Sequence, residues 1–66
     1  MSVLKVIEVL ANSEKSWENA TAKAVKKASK SVKNIRSVFV QSQSAVVEND
    51  KIKEFRVNLK ITFEVG

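Results

Sequence analysis

The most constraining feature of this sequence is a strict two-residue alternation over residues 54–65. Polar or charged side chains alternate there with large apolar ones at Phe55, Val57, Leu59, Ile61, Phe63 and Val65. A period of two places successive side chains on opposite faces of an extended chain. The pattern therefore predicts a strand of about ten residues with one apolar face and one polar face.

A helical pattern occurs earlier in the chain. Apolar residues recur there at spacings of three and four, at Trp17, Ala20, Ala24, Ala28 and Val32. Ser16 is a suitable N-cap, and Glu18 places a negative charge in the first turn, where the helix dipole favours it. We therefore predict a helix that begins near Ser16 and ends around residues 32–34. Its small side chains allow it to lie close to a sheet.

Two further segments have β character. The run Val3–Leu10 is rich in β-branched residues and predicts a strand that residues 11–13 interrupt. Residues 35–46 predict another strand, followed by a turn at residues 48–51. Alternation in this strand places Val38 and Val40 on one face and Ser37, Phe39, Gln41 and Gln43 on the other.

The element order is strand, helix, strand, strand. It predicts an α+β fold in which a three-stranded antiparallel sheet packs on one helix, as a single domain over residues 1–66. A chain of 66 residues buries only about 60% of the surface that its unfolded form exposes. Small domains usually add disulfides, metals or partner subunits, and this chain has no cysteine and no histidine. We therefore expect it to oligomerise.

The same composition argues against catalysis. Without imidazole or thiol groups, the chain cannot form Ser–His–Asp or Cys–His sites. Its single glycine is the terminal residue, so it has no glycine-rich phosphate loop. No apolar run approaches the roughly 20 residues of a membrane span. We expect a cytoplasmic protein that is not an enzyme and has no membrane partner.

Positive charge is concentrated in the helical region. Residues 15–36 contain seven basic residues and one acid, within a chain of net charge +5. Such a stripe is usually a solvated helix face, although it could attract nucleic acid through phosphate contacts. No aromatic residues are interleaved with the lysines and no groove-reading motif accompanies them, so we favour the solvated face and do not expect nucleic acid as a partner.

Several motifs resemble the dodecin family along nearly the whole chain. They are Lys5-Val6-Ile7-Glu8, Ser13-x-x-Ser16-Trp17-Glu18, Lys27-Ala28-Ser29-Lys30, Asn34-Ile35-Arg36 and Val57-x-Leu59-x-Ile61-x-Phe63. The resemblance implies a β-α-β-β chain whose sheet half-wraps the helix, with twelve copies assembled as a hollow sphere. It also implies a non-enzymatic function, in which flavins (riboflavin or FMN) are bound and stored between tryptophans of neighbouring subunits.

Two positions depart from the flavin-binding pattern. Ser37 follows Arg36 where those members carry the stacking tryptophan, and Arg56 stands where they carry a glutamine that bonds the flavin ring. Serine has no π face, so we expect flavin binding to be weakened. The candidate ligand-binding residues are Ser37, Phe39, Gln43, Arg56 and Asn58.

Other interpretations stay open for these residues. Phe39 either packs in a subunit interface or partly replaces the missing tryptophan. Arg56 either forms a solvated or interface ion pair or contacts a ligand. Trp17, on the apolar helix stripe, is expected to be a core residue.

The ligand could also be something other than a flavin, including calcium, which has been linked to some dodecins that lack the tryptophan. Glu14, Glu48 and Asp50 do not have the spacing of a dedicated calcium loop, so we assign no metal ligand. Twelve copies could nevertheless bring single carboxylates together at a symmetry axis.

Overall fold

The computed structural model describes residues 2–65. Its elements are β1 (Val3–Ser13), α1 (Trp17–Ala28), β2 (Ile35–Glu48) and β3 (Lys51–Val65). They form one antiparallel sheet in the order β1-β3-β2, so the last strand of the chain lies in the centre. The predicted β-α-β-β order and three-stranded antiparallel sheet are confirmed.

The helix begins where the sequence predicts. The Ser16 side chain accepts a hydrogen bond from the Asn19 backbone N–H at 2.9 Å, which satisfies one of the unpaired donors of the first turn. The indole of Trp17 stands edge-on to Phe55, with ring centroids 4.9 Å apart and planes at 77°. Trp17 is therefore part of the packing between α1 and the sheet, as predicted.

The helix ends earlier than predicted, at Ala28. Two of the next backbone hydrogen bonds span three residues, as in a 3-10 turn: the Lys30 N–H donates to the Lys27 carbonyl, and the Ser31 N–H donates to the Ala28 carbonyl. The Ser29 hydroxyl donates to the Lys26 carbonyl at 2.6 Å, competing with continuation of the helix. Asn34 then adopts a positive φ of 63°, which turns the chain into β2.

The first strand is longer than predicted. Ala11, Asn12 and Ser13 remain in β1, opposite Val57, Arg56 and Phe55 of β3. Their low strand propensity does not end the strand, because the paired neighbour supplies a full ladder of hydrogen bonds. The β2–β3 hairpin closes through Asn49 and Asp50, both at positive φ (54° and 64°), as a two-residue hairpin turn favours. The predicted turn is therefore confirmed.

The core between α1 and the sheet is small. Within residues 2–65 the buried apolar side chains are Ala20, Ala24, Val57, Leu59 and Ile61. The two alanines let the helix backbone approach the sheet closely, and Val38 and Val9 pack at the edges of this cluster. The apolar face predicted for β3 is confirmed at its centre, where Leu59 and Ile61 are fully buried.

Strand β2 contains irregularities that decide where its side chains point. Val40 pairs with Leu59 and Ser42 pairs with Asn58, which leaves Gln41 as an extra residue in a β-bulge. A one-residue insertion reverses the faces of all residues beyond it. Gln43 therefore lies opposite Val57, on the helix side of the sheet.

The molecule is elongated, with extents of 51 × 20 × 13 Å and a radius of gyration of 13.5 Å. A compact domain of this length has a radius of gyration of about 11 Å. Its accessible surface is 5120 Å², whereas a compact monomer of this mass exposes about 4,200 Å². The chain thus leaves surface open that a compact domain would bury. No helix in the described range is long and apolar enough to cross a bilayer.

Candidate functional site

The face of the sheet away from α1, called here the outer face, is the candidate site. Its members follow from the register, since directly opposed residues share a face. β3 contributes Glu54, Arg56, Asn58, Lys60, Thr62 and Glu64; β1 contributes Leu4, Val6, Glu8, Leu10 and Asn12; β2 contributes Ser37, Phe39, Ser42, Ser44 and Val46. Among the residues that the structure describes, no helix covers this face.

Large apolar side chains are exposed on the outer face. Leu4, Val6, Leu10 and Phe39 have 53–77% of their surface exposed. Isolated exposed apolar residues are ordinary, but several on one uncovered sheet face indicate an interaction surface. Phe39 points outward, as predicted, and lies opposite Lys60.

A groove of about 530 Å³ crosses the outer face over the central strand. Its lining residues are Leu10, Ala11, Asn12, Ser42, Ser44, Arg56, Val57 and Asn58. Two of the predicted ligand-binding residues, Arg56 and Asn58, are thus brought together. Ser37 and Phe39 lie farther along the same face, opposite Thr62 and Lys60, and do not line the groove.

The prediction for Gln43 is wrong with respect to its face. Simple alternation places it with Ser37 and Phe39, but the bulge at Gln41 turns it towards the helix. It lines a separate apolar groove between α1 and β2, with Trp17 and Val38 among its neighbours.

The same bulge brings Ser42 and Ser44 to the outer face, where the sequence analysis did not place them. Asn12 was also missed as a groove residue, because β1 was expected to end before residue 11. Leu10 lay within the predicted strand but was assigned to no site. Asn12 is followed by further polar residues, so no local signal distinguished its role. The bulge itself left no signal in the sequence.

The polar groups of the groove differ in how fully they are bonded. The Asn58 side-chain oxygen is buried and has no hydrogen-bond partner within residues 2–65. Asn12 donates its amide N–H to Glu54 at 2.9 Å. The ion pairs in the described range join Arg36 to Glu64 and Lys53 to Glu48, both at 3.0 Å, and Arg56 takes part in neither. The groove therefore presents a guanidinium outside these ion pairs, whereas the unsatisfied Asn58 oxygen is buried and not open to it.

Trp17 does not belong to this face. Its indole N–H donates to the Ser44 backbone carbonyl at 2.9 Å, and its ring packs on Phe55. It therefore ties the start of α1 to the edge strand β2.

The described residues of one subunit do not form a metal site. No group of three or more acidic, histidine or cysteine side chains converges within residues 2–65. Calcium takes six to eight oxygen ligands, so a single chain does not supply the donor set for such an ion. The flavin sandwich is also incomplete, since Ser37 offers no ring for stacking.

Comparison with known proteins identifies the family. The dodecin family model matches residues 3–66. A calcium dodecin from Mycobacterium tuberculosis is 38% identical over 65 residues, covering 98% of this chain and 92% of the relative. The crystal structure of that calcium dodecin, described as having a novel calcium-binding site, covers 98% of this chain at a TM-score of 0.84 and 39% identity, over 93% of its own length.

More distant relatives share the fold. The dodecin of Streptomyces coelicolor is 23% identical and superimposes over 98% of this chain and 93% of its own length, with a TM-score of 0.94. A protein from Thermus thermophilus is 24% identical over the whole of this chain and 97% of its own, also with a TM-score of 0.94. With its β-α-β-β order, its matching family model and these relatives, this chain belongs to the dodecin family.

Proposed function

We propose that this protein is a non-enzymatic, small-ligand-binding and storage protein that assembles as a homododecamer through the outer face, with the ligand held between subunits. One observation supports this above the others. The outer face combines four exposed large apolar side chains with a polar groove. Apolar surface of this kind is buried when subunits associate, and a groove beside it becomes an enclosed site.

Calcium is the first candidate ligand. The 38% identical M. tuberculosis protein is a calcium dodecin. Because one chain does not converge three acidic side chains, a calcium site here requires carboxylates from several subunits. The exposed hairpin end carries Glu48 and Asp50, which symmetry could bring together with their copies.

A flavin, riboflavin or FMN, is the second candidate. Phe39 remains exposed on the outer face, two residues from the serine that replaces the stacking tryptophan. One aromatic ring in place of a pair retains part of the stacking energy, which is about 0.5–1.5 kcal/mol per aromatic pair beyond buried area. We therefore expect flavin affinity below that of members with the tryptophan.

Native mass spectrometry of protein purified without denaturation from flavin-replete cells tests the proposal. We expect a mass of twelve chains of 7.4 kDa each. Calcium-sized increments that a chelator removes support the calcium site, and flavin-sized increments with yellow colour support the flavin site. A dodecamer that stays bare with added calcium and riboflavin would exclude both ligands, and a monomer would overturn the assembly as well.

A further inference from the structure

We infer that this protein binds a single-chain anionic amphiphile, such as a fatty acid, in a groove between α1 and β1. The hydrocarbon tail lies on half-buried side chains of β1, and the anionic head contacts lysines of the helical region. This groove is on the helix side of the sheet, opposite the outer face. The inference therefore concerns a second site, separate from the ligand of the proposed function.

The floor of the groove is apolar. Ile7 and Val9 of the edge strand β1 pair with Ile61 and Leu59 of β3, so they face the helix. Their partners are fully buried, but Ile7 and Val9 are only half-buried. Val32, which follows the end of α1, adds another half-buried apolar side chain to the lining. These side chains leave apolar surface whose burial by a hydrocarbon tail is favourable.

The space above this floor is large for so small a domain. On the helix, the lining includes Ala24 and Ala28, whose methyl groups fill little of it. The volume is about 860 Å³, within the range of small-molecule sites. The groove reaches the free edge of β1 at Leu10, and the 12 residues of α1 beside it span about 18 Å. An open groove along a helix of this length accommodates a linear tail.

Charge decides which apolar molecule the groove favours. Four exposed lysines border it, three on α1 and one just after the helix: Lys23, Lys26, Lys27 and Lys30. Among the described residues, no acidic side chain lines the groove, and the ion pairs join other residues. Lysine side chains lay their stems along apolar surface and keep the ammonium group in water. An anionic head at the rim of the groove is therefore within their reach.

A second groove on the helix side provides an internal comparison. It lies between α1 and β2 and is mostly apolar, with Trp17 and Val40 in its lining. It carries one acid, Glu18, together with Lys26, so it has no excess of positive charge. An anionic amphiphile should therefore favour the β1 side, whereas a neutral one should not. A second copy of this chain is a poorer occupant of the lysine-bordered groove, since each copy has a net charge of +5.

Isothermal titration calorimetry of the assembled protein tests the inference, with decanoate below its micelle-forming concentration as the main probe. Octanoate has a shorter tail, butyrate lacks an apolar tail and 1-decanol lacks the charge. We expect decanoate to bind up to roughly tenfold more tightly than octanoate, because each buried methylene contributes up to about a fourfold factor. We expect butyrate and decanol to bind much more weakly, and added salt to weaken decanoate binding. Decyl phosphate shows whether the site prefers a phosphate or a carboxylate head.

Paired charge variants locate the anionic head. Lys23→Gln combined with Lys27→Gln is expected to weaken decanoate binding about tenfold, since each exposed ion pair contributes roughly twofold to fivefold. Lys33→Gln combined with Lys51→Gln removes the same charge from exposed lysines that do not line the groove. We expect this control to change affinity less than about twofold, because distant exposed charges are screened.

Paired floor variants locate the hydrocarbon tail. Ile7→Thr keeps a β-branched side chain but makes the floor polar, and we expect it to weaken decanoate binding several-fold. Val40→Thr makes the same kind of change in the α1–β2 groove and is expected to leave the affinity unchanged. Thermal unfolding and native mass spectrometry of each variant report its folding and assembly.

The outcomes separate this inference from the proposed function. An assembly that binds decanoate with this dependence on lysines, but neither calcium nor riboflavin, supports the groove and overturns the proposed ligands. An intact assembly that does not bind decanoate overturns the inference, as does equal loss of affinity in both lysine pairs or decanol binding as tight as that of decanoate. Sedimentation with phosphatidylglycerol vesicles without binding of monomeric decanoate also overturns it, and assigns the lysines to a membrane surface.

Discussion

At the scale of single residues, Ser37 and Phe39 decide whether the outer face can hold a planar ring. Both point away from α1, as their pairing with Thr62 and Lys60 requires. The hydroxymethyl group of Ser37 contributes no stacking. Phe39 is the one aromatic residue among those assigned to this face. The ring of Trp17 cannot substitute, because it packs against Phe55 on the helix side.

Ser37→Trp is expected to raise the affinity for riboflavin about tenfold, the equivalent of roughly 1.4 kcal/mol, since it restores an aromatic platform. Quenching of riboflavin fluorescence on titration measures the change. Ser37→Leu serves as the control, because it adds apolar area without a π face. Equal affinity gains in both variants would contradict a stacking role for position 37.

Phe39→Ala is expected to abolish binding of planar ligands while the dodecamer survives. Fluorescence quenching measures the first effect, and native mass spectrometry measures the second. Val47→Ala is a matched control, since Val47 is 65% exposed and Phe39 is 63% exposed. Unchanged affinity in Phe39→Ala would assign this ring to interface packing alone.

Trp17→Phe is expected to cost about 1 kcal/mol of unfolding free energy, and Trp17→Ala about 3 kcal/mol. The first variant loses the 2.9 Å bond to the Ser44 carbonyl. The second also loses the edge-on contact with Phe55. Urea unfolding at fixed protein concentration gives both values, and equal losses in the two variants would mean that the ring itself contributes little.

At the scale of elements, the approach of α1 to the sheet depends on the size of two side chains. Ala20 is fully buried and Ala24 is 7% exposed, directly over the apolar centre of β3. Larger side chains at these two positions would bury more apolar area but would move the helix away from the sheet. This arrangement keeps the layers thin and leaves the chain with little core of its own.

Ala20→Leu is therefore expected to destabilise the fold by about 1–3 kcal/mol through overpacking. Ala22→Leu, on the exposed side of the same helix, is expected to change the free energy of unfolding by less than about 0.5 kcal/mol. Thermal unfolding at one protein concentration compares the two variants. A neutral Ala20→Leu would show that the helix can shift without penalty.

The basic stripe on α1 is a further feature of this element. Lys26 and Lys27 occupy the last turn, where positive charge suits the negative end of the helix dipole. These two lysines and Lys23 and Lys30 are all exposed, as expected for a solvated face. Their placement therefore has an explanation at the level of the helix, and nucleic acid is not needed to account for it.

At the scale of the whole molecule, the chain exposes more surface than a compact monomer of the same mass. It has a long, thin sheet whose inner face is only partly covered by a 12-residue helix and whose outer face is open. We expect a lone chain of this kind to be marginally stable, and the proposed association with further copies to supply the missing burial. Apparent stability should accordingly depend on protein concentration.

Val6→Glu is expected to dissociate the assembly, because it introduces a charge on the apolar part of the outer face, where Val6 is 57% exposed. Val6→Thr, which keeps the β-branched shape, is expected to assemble like the parent. Native mass spectrometry and the concentration dependence of thermal unfolding measure both. A fully assembled Val6→Glu variant would show that subunits associate through another surface.

Local patterns predict the order of the elements, the start of the helix at Ser16, the hairpin turn and the two faces of β3. These features depend on residues two to four positions apart, so local patterns are sufficient to predict them. The outward direction of Phe39 and the shared face of Arg56 and Asn58 follow from the same period.

Strand pairing, in contrast, produces the extension of β1 through Ser13, the bulge at Gln41 and therefore the groove. Each depends on pairing with β3, whose residues lie far away in the chain. A bulge moves Gln43 to the helix side and brings Ser42 and Ser44 beside Arg56, with no local signal of the change. Strand register is set by the sum of cross-strand contacts over a buried core, and that sum exists only when the sheet has formed.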